Sequence, residues 1–140
     1  MKRNSRLSLA LHALGHMAAE PRQPRTSTEI AEHNQTNPVF VRRVLGLLRE
    51  AGLLVSEKGP RGGWLLAHAP EDISLTDVYL ALGERFMRPD PDGTDNPPQC
   101  LVERELRTEV DAALSAAEAT LTDHLSRVPI SRLGAVLRRP

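Results

Sequence analysis

Apolar positions recur along this chain with helical period in four places and alternate nowhere for long, so the pattern predicts a mostly helical protein. Leu7, Leu11, Leu14 and Met17/Ala18 form one face of a first helix over 5–19. Pro21 and Pro24 then keep the chain from continuing as helix. Thr26 stands three residues before Glu29, the spacing of a capping box, and Ile30 and Ala31 begin the apolar face of a second helix. A short polar stretch over 33–37 suits a turn. Asn37-Pro38 restarts helix, with Asn as cap and Pro at a first position where no N–H is needed. Val41, Val44, Leu45 and Leu48 make its buried stripe, and Arg42, Arg43, Arg49 and Glu50 fall off that stripe. Gly52 ends the helix as a left-handed cap. The segments 53–56 and 64–67 flank EKGPRGG, a loop with the Gly and Pro content of a hairpin. Helix, turn, helix and ribbon add up to a winged helix, with recognition helix 38–51 and wing 53–67.

Farther along, Ser74 or Thr76 opens a helix to about 82 or 83, with Val78 and Ala81 or Leu82 inward. RPDPDGTDNPPQ (88–99) has four prolines and no apolar side chain, and reads as a loop. A long helix is expected over 100–126. Its stripe of Leu101 or Val102, Leu106, Val110, Leu114, Ala117, Leu121 and Leu125 runs for about seven turns. A stripe of that length suits burial against a second copy, with Leu106, Val110, Leu114, Ala117 and Leu121 as the dimer seam. A last short helix or turn follows over 130–137. The expected division is a winged-helix domain at 1–83, a flexible loop at 84–99, and a dimerisation helix with tail at 100–140.

Charge and composition narrow the function. Net charge is zero, yet residues 1–61 hold ten Lys/Arg against five Asp/Glu while residues 62–140 hold eight against thirteen, so the first part is suited to an anionic partner. Only 3% of the chain is aromatic, so the core must be Leu, Val and Ala. The chain has no run of about 18 apolar residues and no compact signal-peptide stretch, and its one cysteine forms no internal disulfide; the expectation is a cytoplasmic protein off the membrane. GxSxG, P-loop, HExxH and zinc-type cysteine pairs are all missing from the sequence, so no enzyme is expected.

Double-stranded DNA is the partner a helix-turn-helix implies, because its second helix fits the major groove. Asn37, Val39, Phe40, Arg42 and Arg43 are the candidate base- and phosphate-reaching residues of that helix. Thr26, Ser27 and Thr28 offer hydroxyls to a phosphate, and Lys58 and Arg61 offer charge from the wing. The alternative is a winged helix that docks a protein through the same Phe40/Arg42/Arg43 face. Binding that falls steeply with salt separates the two.

EIAE (29–32), NPVFVRRVLGLLREAGLL (37–54), KGPRGGWLLA (58–67) and PEDISLTDVYLAL (70–82) resemble the Rrf-two family of bacterial winged-helix regulators. That family pairs a helix ending in AGLV with a wing of the type GPGGGYRLA and a long C-terminal dimer helix. The resemblance implies a homodimeric repressor on a two-fold operator. Phe40 and Trp64 stand where the family usually has Tyr, and Arg61 replaces a wing-tip Gly. The best-known members hold an iron–sulfur cluster on three cysteines. This chain has only Cys100, so no cofactor is expected, even counting His12, His16 and His33 as substitutes. Cys100 begins a helix after a Pro-rich loop, where a thiol pKa falls, and is the candidate redox switch. A small-molecule effector is the other kind of signal that the reading leaves open.

Overall fold

The computed structural model describes residues 5–59, 62–83 and 100–137. In chain order these form α1 (Arg6–Ala19), α2 (Ser27–His33), α3 (Pro38–Glu50), β1 (Leu54–Glu57), β2 (Gly63–Leu66), α4 (Leu75–Ala81), α5 (Leu101–Ser126) and α6 (Ser131–Leu137), with a 3₁₀ turn at Pro70–Asp72. The winged helix is therefore present, and the hairpin pairs antiparallel with Leu54 opposite Leu66 and Glu57 opposite Gly63. The segment expected to be a loop, 84–99, lies outside the described residues, as do Arg61 and the last three residues of the tail.

Local chemistry sets the helix ends. Ser5 Oγ accepts from the Ser8 N–H at 3.0 Å and starts α1. Thr26 and Glu29 close a complete capping box, each side chain accepting the other's backbone N–H at 3.1 and 3.0 Å. Asn37 Oδ1 accepts from Phe40 N–H at 2.9 Å, with Pro38 in the first turn of α3. Gly52, at φ +82°, ends α3 in a Schellman motif: Leu53 N–H reaches Leu48 O and Gly52 N–H reaches Arg49 O, both at 2.9 Å. The end of α2 uses the same device without a glycine. Gln35 takes φ +55°, and Thr36 N–H bonds back to Ala31 O at 2.9 Å.

The core gathers Leu14 and Met17 of α1, the Val41/Val44/Leu45/Leu48 stripe of α3, Leu54 of β1, Ile73, Val78 and Ile130, all 2% exposed or less. Tyr79, which the sequence pattern does not single out, is buried as well, and Leu82 rather than half-buried Ala81 joins Val78 inward. The chain after α5 returns to this core. Ile130 N–H bonds Ile73 O at 2.8 Å, and α6 lies along α1. Gly134 makes that approach possible, because a Cβ there would stand 2.8 Å from backbone atoms of Ala18 and Ala19.

The long helix α5 buries no residue within its own chain. Its C-terminal half rests on α4, where Thr76 Oγ1 donates to Thr122 O and the Tyr79 hydroxyl donates to Glu118. The other half exposes Leu101 and Val102 at 74%, Leu106 at 62% and Val110 at 47%. Leu114, Ala117 and Leu121 are half-buried.

Candidate nucleic-acid interface

The buried stripe of α3 dictates what its other side presents. With Val41, Val44, Leu45 and Leu48 inside, Val39, Arg42 and Arg43 stand exposed together at three- and four-residue spacing. Val39 is 58% exposed, an apolar side chain that would otherwise be out of place on a cationic surface. Two guanidiniums and a methyl-bearing side chain on one helix face are the groups that read guanine edges, phosphate and thymine methyls. Phe40 and Asn37 are positioned differently. Phe40 is half-buried against the core, and Asn37 Oδ1 is committed to the cap of α3. Both shape the entry of this helix.

The residues at the start of α2 divide in the same way. Thr26 Oγ1 is held in the capping box, Ser27 Oγ accepts from Trp64 Nε1 at 2.9 Å, and Thr28 is exposed. Lys58 is exposed just beyond the end of β1. Arg61 belongs to the undescribed wing tip.

Three residues that the sequence reading does not assign to the interface tie these parts together. Arg25 pairs with Trp64 as a third, one-residue rung of the wing: Trp64 N–H donates to Arg25 O at 2.7 Å and Arg25 N–H to Trp64 O at 3.1 Å. Arg25 also bridges Glu20 at 3.0 Å. Arg49 lies 5.5 Å above the Trp64 ring and donates from Nη1 to Ser56 Oγ at 3.2 Å.

Behind this surface His16 and His33 meet edge to face, ring centroids 4.4 Å apart, in a pocket also lined by Arg25, Glu29 and Asn34. His16 is half-buried, and its pKa is lowered from 6.5 by burial first and then by the neighbouring His33, Arg25 and His12, against which Glu20 acts weakly. His12 and His33 are exposed, and His33 meets half-buried His16 across the α1–α2 gap.

Cys100 caps α5 and is exposed, and the backbone N–H groups of Glu103 and Val102 aimed at its sulfur lower its pKa. It is the chain's one thiol, and among the described residues no three His, Cys, Asp or Glu side chains are grouped to hold an ion. Nor is any described helix long and apolar enough to cross a membrane.

A family model described as Rrf2, iron-dependent transcriptional regulator, matches residues 3–135. The chain belongs to the Rrf2 family. YwnA of Bacillus subtilis, which carries the name of an HTH-type transcriptional regulator, is 32% identical over 128 residues that make up 88% of this chain and 90% of YwnA. Among solved structures, CymR of B. subtilis, the global cysteine regulator of that organism, superposes with a TM-score of 0.65 at 19% identity over 97% of this chain and 98% of its own. A chain from Lactobacillus plantarum superposes at 0.76 with 22% identity, over 96% of this chain and 90% of its own. At these identities the superpositions speak for the fold, and the family match makes this Rrf2 chain a transcriptional regulator rather than an enzyme. It carries a single cysteine, Cys100.

Proposed function

We propose that this Rrf2 regulator is a homodimeric repressor that binds a two-fold DNA operator, one α3 in each of two successive major grooves. The observation that carries this reading is the exposed Val39/Arg42/Arg43 face of α3, set beside a wing whose Lys58 is also exposed. Dimers of helix-turn-helix proteins meet half-sites about 34–36 Å apart, so the two recognition helices must be held at that spacing. The exposed apolar half of α5 supplies the surface for a second copy, with Leu106 and Val110 at its centre and half-buried Leu114, Ala117 and Leu121 completing the seam.

Fluorescence anisotropy on DNA from upstream of its own gene tests the reading. Specific binding should weaken steeply between about 50 and 200 mM salt, and the Arg43→Ala variant should flatten the slope by about one. Binding to no DNA at low salt would overturn the proposal and leave a protein-docking winged helix. The signal is proposed to act at Cys100, whose exposed, acidified thiol suits attack on peroxide, the sulfur taking one oxygen as sulfenic acid while water leaves. Peroxide should then release DNA from the wild type and leave Cys100→Ser bound; release from both would point to a small-molecule effector or another target.

A further inference from the structure

An isolated two-stranded hairpin is marginal in water, and this one has only four paired positions, so the pose of the wing must be imposed from outside the hairpin. One side chain collects the contacts that impose it. Trp64 sits opposite Ser56 in the ladder, exchanges both backbone hydrogen bonds with Arg25, donates its indole N–H to Ser27 of α2, and lies under the Arg49 guanidinium of α3. It is 7% exposed. The same Arg49 reaches across to Ser56, so the indole and its cross-strand partner are gripped together. The residue before the indole is fitted to this contact. Gly63 takes φ +151°, and a Cβ there would stand 2.7 Å from Arg25 O.

We propose that Trp64 is the positioning residue of the wing, pinning the hairpin to α2 and α3 at once so that Lys58 meets DNA in register with Arg42 and Arg43. The inference rests on the DNA-binding reading and deepens it. Lys58 lies two residues beyond Ser56, the ladder partner of Trp64, so any tilt of the hairpin at the indole is carried directly to the lysine. Trp64 itself is buried and need not touch DNA. Its effect passes through Lys58.

That indirectness makes the inference testable by a double-mutant cycle on the full-length protein with its own upstream DNA. Lys58→Ala should weaken the wild type about five- to tenfold and lower the salt slope by about one, as loss of a phosphate contact does. In the Trp64→Phe background, which keeps a ring for packing and loses the indole N–H, the same change should cost less than about twofold. Ser27→Ala removes the acceptor while leaving the indole in place and should uncouple Lys58 in the same way; it also serves if Trp64→Phe does not fold. Equal costs of Lys58→Ala in all three backgrounds, with wild-type binding intact, would overturn the role of Trp64 alone. A wild type without salt-dependent binding would overturn the DNA reading and this inference with it.

Discussion

Replacing Leu106 by Ala should dissolve the proposed dimer while sparing the fold of each chain. In a single chain Leu106 is 62% exposed, so most of its side chain awaits burial. Fully burying a leucine side chain is worth about 1.5–3 kcal/mol, and the exposed share of Leu106 therefore about 1–2 kcal/mol. A two-fold seam uses the residue twice, which raises the stake to roughly 2–4 kcal/mol per dimer. Alanine keeps the Cβ, so a loss of about 2–3 kcal/mol is expected, a weakening of the dimer constant by roughly 30- to 150-fold. Sedimentation equilibrium over a concentration series reads that constant directly. Circular dichroism at a dilution where both proteins are monomeric should show no loss of helix and a melting temperature within about two degrees, since the monomer gains little from this side chain. Binding to the palindromic operator should become steeper in protein concentration, and affinity for an isolated half-site should not change. A dimer constant altered less than about threefold would refute the reasoning, because it would mean that the exposed stripe of α5 is not what the second copy covers.

Three further outcomes follow from the packing. Gly134→Ala forces a methyl to within 2.8 Å of the Ala18–Ala19 backbone, and should lower stability by about 1–3 kcal/mol, read as a reduced urea midpoint at constant m-value. Gln35→Gly removes a left-handed non-glycine residue from the turn between α2 and α3 and should raise stability by about 0.5–1 kcal/mol in the same assay. His16 has a folded pKa below its unfolded value of 6.5, so the unfolded chain takes up the proton first and stability falls as pH drops through 6.5 towards the folded pKa. Melting temperatures between pH 7.5 and 5.5 should show this fall and His16→Gln should reduce it; the charged groups around it, His12, Glu20, Arg25 and His33, are unchanged in that variant.

What the sequence made legible is what a few neighbouring residues decide among themselves. Thr26 with Glu29, Asn37 with Pro38, and Gly52 after Leu48 each state a helix end within five positions, and all three ends stand where the spacing places them. The α3 stripe is legible for the same reason, and its exposed complement at Val39, Arg42 and Arg43 follows from it. Phe40 and Asn37 were less so: period alone does not tell a residue that shapes a helix entry from one that faces solvent beside it. The Trp64 contacts join residues up to 39 positions apart, and no local pattern encodes them. Gln35 escaped because its left-handed turn uses a residue with no preference for that conformation. The His16–His33 pair needed the tertiary fold to bring a residue of α1 and a residue of α2 together before two scattered histidines became neighbours.

The uneven attachment of α5 has a mechanical consequence. At 1.5 Å per residue its 26 residues make a rod of about 39 Å, and its C-terminal half is hydrogen-bonded to α4 through Thr122 on Thr76 and Glu118 on Tyr79. In the proposed dimer the rods form the shared frame and the winged helices ride on the joints. Small rearrangements at Tyr79 and Glu118 would thus tilt each winged helix against the shared frame and change the spacing of the two recognition helices.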